Sequence, residues 1–178
     1  LLCAPYFSSI VLAATAILNA ASEDQKRNLL PPIAAGDTRA ALAFTEENGR
    51  WDTGGVALTA AVTGGGHELN GVKSFVLDGH TAELLVVLAR RPGTSGDDGL
   101  SFFTVAGDAP GLRRRLLQST DATRKLARLE FQGVAATLLG AEGAAAAPLA
   151  KTLDRAVACL ANEMVGGAEA LREQALDY

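Results

Sequence analysis

Hydrophobic periodicity divides the chain into a helical beginning, a β-rich middle and a helical end. Near the beginning, Ser22 and Gln25 form a Ser-x-x-Gln capping box, which predicts the start of a helix. Pro31–Pro32 perturb this helix, and Gly36 can end it. From about residue 39 the period of the pattern falls to two, and in the last part of the chain it returns to three or four.

The first 21 residues are apolar enough to suggest a signal peptide or a membrane span. No basic segment or initiating Met precedes them, and Pro5, Ser8 and Asn19 interrupt the apolar run. We therefore expect a helix that is buried inside a larger protein, and no membrane span.

The middle of the chain carries the alternation and the short apolar runs of β-strands. Leu84 to Leu88 is continuously apolar, as expected for a strand that is buried on both faces. Gly64 to Gly66 predicts a turn, and Asn70–Gly71 predicts a tight turn because both residues tolerate positive φ. Strands are predicted at residues 40–44, 56–63, 72–77, 84–88, 101–105, 112–116 and 127–131. Strands at this spacing are typical of a β-barrel or sandwich.

The end of the chain carries one apolar stripe, which predicts a long amphipathic helix from near Pro148. Gly166–Gly167 lie inside it, where each glycine costs about 1 kcal/mol relative to alanine, so we expect another backbone to pack closely there. The pattern as a whole predicts an α+β chain in three parts. These are the end of an N-terminal helical domain at residues 1–37, a β-barrel or sandwich at 38–145, and the first helix of a C-terminal helical domain at 146–178.

Composition and charge narrow the classes of function. The chain is 48% hydrophobic and 20% charged, as in globular proteins, and its net charge of −4 argues against nucleic-acid binding. We interpret the basic run Arg113–Arg115 as a solvated strand end. Cys3 and Cys159 form no CxxC pair, which indicates a reducing, cytoplasmic location. His67 and His80 have no other metal ligand at a suitable spacing, so we interpret them as exposed turn residues and predict no metal site.

Three segments, in this order, resemble motifs of the acyl-CoA dehydrogenase family. Residues 42–52, which include Thr45 and Glu46, are similar to its Thr-Glu-Pro and Gly-Ser-Asp motif. Residues 69–79 are similar to its Leu-Asn-Gly-x-Lys motif, and residues 129–140 resemble the exit from its β-domain. The Gly-Arg-Trp-Asp sequence is most similar to divergent, actinobacterial-type members. The resemblance implies N-terminal helices, a central β-barrel or sandwich domain and the start of a C-terminal helical bundle.

The resemblance also implies an activity. Members of the family bind FAD, remove the α-proton of an acyl-CoA with a glutamate and pass the β-hydride to flavin N5. An electron-transfer flavoprotein or a similar acceptor then takes the electrons, and a homo- or hetero-oligomer is expected. Two other functions remain open, namely a non-catalytic or half-active partner subunit of a heteromeric dehydrogenase, and a flavin monooxygenase or oxidase on the same fold.

Four residues match the positions at which the family contacts its flavin. By this match, the backbone of Phe44 and the hydroxyl of Thr45 face the pyrimidine side of the ring. Phe75 takes the place of the family's aromatic residue against the ring, and the backbone of Val76 is its neighbour. The alternatives are an ordinary core position for Phe75 and a hydroxyl bonded to the backbone for Thr45.

Other positions depart from the family pattern. Leu77 replaces a threonine whose hydroxyl and backbone address flavin N5. It keeps the backbone N–H, so we predict that it contacts the cofactor, but it loses the hydroxyl, which costs about 0.5–1.5 kcal/mol for one hydrogen bond. Leu42 replaces a frequent tyrosine. Arg50 and Trp51 replace a small Gly-Ser pair, and we predict that both contact the cofactor. Arg50 would pair with a phosphate, unless it is a surface arginine. Trp51 would stack or fill the substrate channel, and we assign Asp154 to substrate binding as well.

The catalytic base is not predicted within this chain. The resemblance places the family's usual glutamate in the C-terminal bundle, beyond Tyr178. Some relatives carry it on the first bundle helix, at the position that is Ala156 here, and Val157 replaces the arginine that follows. Glu163 lies on the same helix but matches neither position, so we interpret it as structural.

Overall fold

The computed structural model describes residues 4–178. Its longer helices lie towards the two ends of that range, and a short 3-10 helix lies at Thr53–Gly55. A π-helical stretch at Phe7–Ala14 continues directly into the α-helix α1 at Thr15–Ala20, and the two together are called the N-terminal helical segment. Helix α2 spans Glu23–Ala35 and helix α3 spans Ala146–Leu176. Cys3 and the two leucines before it lie outside the described residues. None of the helices within residues 4–178 is long and apolar enough to cross a membrane.

Helix α2 begins with the predicted capping box. The backbone N–H of Gln25 donates to the Ser22 hydroxyl at 3.3 Å, and the Ser22 N–H donates to the side-chain oxygen of Gln25 at 3.1 Å. The helix continues through Pro31–Pro32 and ends at Gly36, whose φ of +84° is that of a left-handed helix cap. Both predicted ends of this helix are confirmed.

The Gln25 side chain also joins α2 to the barrel. Its amide nitrogen donates to the Leu138 carbonyl at 2.8 Å, and its amide oxygen accepts from the Gly140 N–H at 2.9 Å. One side chain therefore bonds to the start of a helix and to the end of a strand.

Seven strands occupy the middle of the described chain. They are β1 (Ala40–Ala43), β2 (Thr59–Thr63), β3 (Gly66–Leu77), β4 (Leu84–Arg90), β5 (Leu100–Ala106), β6 (Leu112–Leu116) and β7 (Leu126–Leu139). Each overlaps a predicted strand, although β2 begins three residues later than expected and β7 continues well beyond residue 131.

Five of these strands close into a barrel. Hydrogen-bonded neighbours follow the circuit β4–β2–β3–β7–β5 and return from β5 to β4. Strand β1 adds to β4 in parallel, and β6 adds to β7 in antiparallel orientation. Of the two predicted architectures, the chain therefore forms the barrel.

Strand β4 is buried on both faces, as its continuous apolar run predicts. Leu85 and Val87 belong to the cluster that fills the barrel, whereas Val86 and Leu88 belong to the cluster beneath the helices. This second cluster also contains Ile17 of α1 and residues of α2 and α3. The helices consequently pack on the outside of the barrel around β1, β4 and β5.

The predicted tight turn at Asn70–Gly71 is wrong. The chain reverses at Gly64–Gly65, where the other turn was predicted, and β3 runs through Asn70 and Gly71 without a turn. Gly71 has φ of +135° and lies where the pairing register between β3 and β7 shifts. The Asn70 side chain accepts a hydrogen bond from the Gly133 N–H at 2.8 Å. The pair forms a β-bulge, which favours the same positive-φ residues as a turn.

The two histidines are not exposed turn residues. His67 lies in β3 and is half-buried, with its ring centroid 5.0 Å from that of Phe103. His80 lies in a turn, as expected, but is half-buried too. Arg113–Arg115 are exposed along β6, as expected for a solvated strand. Among residues 4–178, no cluster of three His, Cys, Asp or Glu side chains is placed to hold a metal.

Helix α3 packs against the rest of the described chain through its first half. Leu149 and Ala156 are buried, whereas Met164 and Leu171 of the same apolar stripe are exposed. The backbone contact expected at Gly166–Gly167 is not made by any described residue, because a Cβ atom at either position would have nothing within 4 Å.

Candidate functional site

A cavity of about 410 Å³, called here the apolar cavity, lies between the barrel and the first half of α3. The ends of β1 and β3 and the loop after β1 form its barrel side. Helix α3 and the N-terminal helical segment form the opposite side. The residues on the barrel side, including two at or just before the start of β7, are Leu42, Phe44, Thr45, Gly49, Trp51, Phe75, Leu77, Arg124 and Leu126. Those on α3 are Leu153, Ala156, Val157 and Leu160.

Most of the predicted cofactor residues come together at this cavity. Phe44, Thr45, Trp51, Phe75 and Leu77 all line it, although they come from two motifs that are well separated in the sequence. The parallel pairing of β1 with β4 and the closure of the barrel bring the two motifs together.

Three predicted site residues do not line the apolar cavity. Val76 is buried in the barrel interior, which leaves only its backbone for the predicted contact. Arg50 is exposed and forms an ion pair with Asp52, with 2.6 Å between Nη2 and Oδ1. Asp154 is exposed on α3. Their predicted roles with a phosphate and with the substrate stay predictions.

Phe75 has an unusual backbone. Its φ is +60°, in the left-handed region that non-glycine residues rarely adopt. It lies between Lys73 and Val76, where the register of β3 against β7 shifts. The side chain is 47% exposed and faces the apolar cavity. Backbone strain of this kind is concentrated at functional sites, where it costs about 1–3 kcal/mol.

The Thr45 hydroxyl already has a partner within the protein. It donates to the Ser74 carbonyl at 2.6 Å, while the Ser74 N–H donates to the Thr45 carbonyl at 3.0 Å. The backbone-bonded alternative for Thr45 is therefore the one observed. Because the hydroxyl proton is donated to Ser74, the oxygen can only accept a hydrogen bond from a ligand.

Trp51 lies at the open side of the apolar cavity. Its side chain is 61% exposed, and its ring packs edge-on against Phe44, with 5.6 Å between centroids and 86° between planes. Exposed aromatic side chains at the mouth of a concave site are typical of surfaces that a ligand covers.

A buried ion pair holds the barrel side of the cavity, and the sequence did not predict it. Lys73 is fully buried and donates to Glu46 Oε1 at 2.8 Å and to the Phe44 carbonyl at 3.3 Å. The Glu46 carboxylate also accepts the N–H groups of Ala57 at 3.0 Å and Leu58 at 2.9 Å. The carboxylate of Glu46, at the start of the loop from residue 46 to residue 58, therefore holds the end of the same loop by hydrogen bonds.

Burial dominates the electrostatics of this pair. It lowers the pKa of Lys73 to about 8, because an ammonium group loses its hydration, although Glu46 opposes the shift. Lysine is almost never fully buried without a partner. The sequence carried one sign of this pair, since Glu46 lies in the motif at residues 42–52 and Lys73 in the motif at residues 69–79.

Arg90, at the end of β4, supports the same loop from the other side. Its guanidinium donates to the carbonyls of Val56 at 3.0 Å, Thr53 at 2.8 Å, Gly96 at 2.8 Å and Asp98 at 2.6 Å. These four bonds join the loop that carries Trp51 to the loop between β4 and β5. No pattern in the sequence indicated this role.

A second cavity, of about 690 Å³, lies beside the apolar cavity. The two share Phe7, Leu77 and Arg124 as lining residues. Arg124 donates to both oxygens of Glu163, and its guanidinium carbon lies 4.8 Å from the centroid of the Phe7 ring. The contact with Arg124 agrees with the structural role predicted for Glu163.

The lining of the apolar cavity limits the chemistry that the described residues can supply. Arg124 is the single ionisable residue among them, and it is already paired with a carboxylate. This part of the chain can bind and orient an apolar or aromatic group and keep water away from it. It places no carboxylate or imidazole in the cavity that could move a proton.

Comparison with known proteins gives the family that the motifs indicate. The family description "Acyl-CoA dehydrogenase, middle domain" matches residues 41–134, which are more than half of the chain. An acyl-CoA dehydrogenase of Bacillus subtilis (strain 168) is 32% identical over 167 residues, which cover 91% of this chain and 44% of that protein.

Solved structures agree. Butyryl-CoA dehydrogenase from Megasphaera elsdenii has a TM-score of 0.90 at 28% identity, over 97% of this chain and 46% of that one. A structure of PigA with FAD and proline has a TM-score of 0.89 at 25% identity, over 97% of this chain and 46% of that one. The barrel with helices packed outside it is a fold that this chain shares with these proteins, and the chain belongs to the acyl-CoA dehydrogenase family. It spans about half the length of the curated relatives that it matches.

Proposed function

We propose that this chain forms the barrel side of the active site of an FAD-dependent acyl-CoA dehydrogenase. The observation that carries the proposal is the apolar cavity, where five residues from two family motifs meet opposite the first half of α3. Family membership supports it, because the Bacillus subtilis and Megasphaera elsdenii proteins named above are acyl-CoA dehydrogenases by name.

The residues of the cavity fit a planar, largely apolar ring. Phe75 and Leu77 offer an aromatic and an aliphatic surface, and Thr45 offers a hydroxyl oxygen that can accept a hydrogen bond. Exposed aromatic surface is covered when a ring binds, which recovers about 25 cal/mol for each Å² removed from water. The flavin, when bound, supplies the acceptor for the hydride that leaves the β-carbon.

The opposite side of the cavity fits the acyl group. Leu153, Val157 and Leu160 present aliphatic side chains, and Ala156 leaves space where a larger residue would fill the cavity. An apolar lining of this kind excludes water from the reacting atoms, which prevents side reactions and strengthens electrostatic interactions. In this proposal Trp51 covers the thioester end of the substrate.

The proton acceptor lies outside the described residues in this proposal. Ala156 stands where some relatives carry a glutamate, and the apolar cavity contains no carboxylate from residues 4–178. The remainder of the protein therefore supplies the base, and residues of this chain orient the α-carbon towards it. We further propose an oligomer that passes its electrons to an electron-transfer flavoprotein or a similar acceptor in the cytoplasm.

The test is the visible absorbance spectrum of the purified complete protein, recorded before and after a panel of acyl-CoA thioesters is added. We expect a flavin band that bleaches with at least one thioester when air is excluded. A bound flavin that no thioester bleaches would contradict dehydrogenation and favour a partner subunit or a monooxygenase. A protein that binds no FAD would contradict the proposal for this chain on its own.

A further inference from the structure

The two family motifs that line the apolar cavity meet without forming a sheet ladder. Within residues 4–178, β1 pairs with β4, whereas β3 pairs with β2 and β7. The segment that follows β1 nevertheless lies against the end of β3, and each supplies a residue to the cavity, Thr45 from the first and Phe75 from the second. The bonds between these two segments therefore decide how the barrel side of the cavity is arranged.

Lys73 supplies the charged bonds between the two segments. Its ammonium donates to the Phe44 carbonyl at 3.3 Å and to Glu46 Oε1 at 2.8 Å, on either side of Thr45. Between these two bonds, the Thr45 hydroxyl and carbonyl bond to the backbone of Ser74. Hydrogen bonds between charged groups are about twice as strong as neutral ones, so the bond from Lys73 to Glu46 is the strongest of this set.

Phe75 needs support of this kind. Its φ of +60° lies in the left-handed region, which a non-glycine residue keeps only where its surroundings hold it. It follows Lys73 by two residues, and Ser74 between them is bonded through both its N–H and its carbonyl. The Lys73 side chain is fully buried and does not line the apolar cavity. Its ammonium consequently acts on the cavity through Thr45 and Phe75.

Stability alone does not account for a buried ion pair at this place. A well-packed apolar pair of similar volume is often as stabilising as two buried charges, or more so. Glu46 faces the ammonium from the loop after β1, and Arg90 faces it from the end of β4. Burial lowers the pKa of Lys73 to about 8, although Glu46 opposes the shift, and the charge of Arg90 adds a smaller lowering effect. The ammonium therefore loses its proton at a pH that leaves most other lysines charged.

We propose that Lys73 is a positioning residue of the flavin site, whose ammonium holds Thr45 and Phe75 in the arrangement that binds FAD and whose loss of a proton loosens that arrangement. FAD is then held tightly at neutral pH and released as the pH rises. This inference rests on the proposed acyl-CoA dehydrogenase function. Lys73 itself takes no part in the chemistry.

Equilibrium dialysis of the FAD-loaded complete protein at increasing pH tests this role, with the released flavin measured by its fluorescence. In the wild type we expect FAD affinity to stay constant below about pH 8 and to fall above it by up to about tenfold per pH unit, as for one linked proton. In Lys73→Met, FAD affinity at neutral pH should be at least about tenfold lower than in the wild type, and it should not show the fall above about pH 8.

The direction of the pH dependence separates positioning from stability. Between about pH 8 and about pH 10.5 the unfolded chain binds more protons at Lys73 than the folded chain does, so loss of this proton does not weaken the fold. A purely structural role for Lys73 therefore predicts FAD affinity that holds or rises with pH. The positioning role predicts a fall.

Two further variants make the test specific. Lys26→Met removes the ammonium of a surface ion pair with Glu23 on α2, and it should keep the wild-type affinity and pH profile. Lys73→Met/Glu46→Gln removes both buried charges. Its melting temperature should recover part of the loss in Lys73→Met, whereas its FAD affinity should stay low because the Phe44 carbonyl still lacks its donor.

The outcomes separate the two proposals. A wild-type FAD affinity that is constant or rises with pH would overturn the positioning role, and so would a double variant that regains FAD affinity together with its stability. If Lys73→Met does not fold, the wild-type pH profile decides by itself. A complete protein that binds no FAD at any pH would overturn the proposed function.

Discussion

The buried pair between Lys73 and Glu46 allows a quantitative test of how the barrel holds its loop. The substitution Lys73→Met removes the ammonium group and keeps a chain of similar length. It leaves the Glu46 carboxylate buried, still accepting the N–H groups of Ala57 and Leu58 but without a counter-charge. The variant therefore isolates the cost of an unpaired charge.

The expected cost follows from the geometry. Removing one partner of a buried ion pair destabilises a protein by about 3–5 kcal/mol. Because two backbone N–H groups still solvate Glu46, we expect the lower end, about 3 kcal/mol. In a protein of this size, each kcal/mol of lost stability lowers the melting temperature by about 2–4 °C. Lys73→Met should therefore melt roughly 6–12 °C below the wild type.

Thermal unfolding followed by calorimetry is the assay, with two further variants. Arg50→Met breaks the exposed pair with Asp52 and should leave the melting temperature almost unchanged, because exposed pairs contribute little. The double variant Lys73→Met/Glu46→Gln removes both charges and keeps an acceptor for Ala57 and Leu58. It should recover part of the loss.

Two results would refute this reasoning. One is a melting temperature for Lys73→Met within about 2 °C of the wild type, which would mean that the buried charge of Glu46 costs little. The other is a double variant that is less stable than Lys73→Met alone, which would mean that the loss did not come from the unpaired charge.

Three other predictions follow from the same structure. The pKa of Lys73 is about 8 in the folded state and near 10.5 when the chain is unfolded, so the unfolded state binds more protons between these two pH values. The free energy of unfolding of the wild type, measured in urea relative to that of Lys73→Met, should therefore rise with pH across this window and stay flat below it. Phe75→Gly relieves the left-handed backbone, so the melting temperature of the FAD-free protein should hold or rise, while FAD affinity in a fluorescence titration falls about tenfold through the lost aromatic contact. Gly140→Ala should destabilise the protein far more than Gly143→Ala in urea unfolding. Both glycines have positive φ, but only a Cβ atom at Gly140 would meet the Ala20 carbonyl oxygen, at 2.0 Å.

Each of the three has a contrary result. A stability difference that falls with rising pH would mean that Lys73 is protonated more readily when folded. FAD affinity that is unchanged in Phe75→Gly would remove this side chain from the cofactor site. Equal losses at Gly140 and Gly143 would show that backbone conformation, and not the close approach of α1, sets the cost.

The sequence predicts the strands well because their burial follows simple rules. Strand β4 is buried on both faces and reads as one apolar run, and β6 coincides with its predicted range. The error at Asn70–Gly71 has a physical reason, since a bulge and a tight turn both favour residues that adopt positive φ. Only the pairing partner, which lies far away in the sequence, distinguishes the two.

The candidate site was predictable only in part. The motif resemblance identified Phe44, Thr45 and Phe75, which the structure brings to one cavity. It gave no role to Lys73, because local pattern does not show that a lysine on a strand finds a carboxylate 27 residues away and becomes buried. The left-handed backbone of Phe75 was invisible for a similar reason, since it arises from a register shift against β7.

The bridge made by Gln25 has a consequence for how the molecule opens. One amide closes the first turn of α2 and also bonds to the Leu138 carbonyl and the Gly140 N–H. Fraying of the helix therefore releases the end of β7, and loss of the strand end uncaps the helix. In native-state hydrogen exchange, amides of α2 and of the end of β7 should open together as one cooperative unit. Gln25→Ala should uncouple them, so that the helix exchanges first while the barrel amides keep their protection.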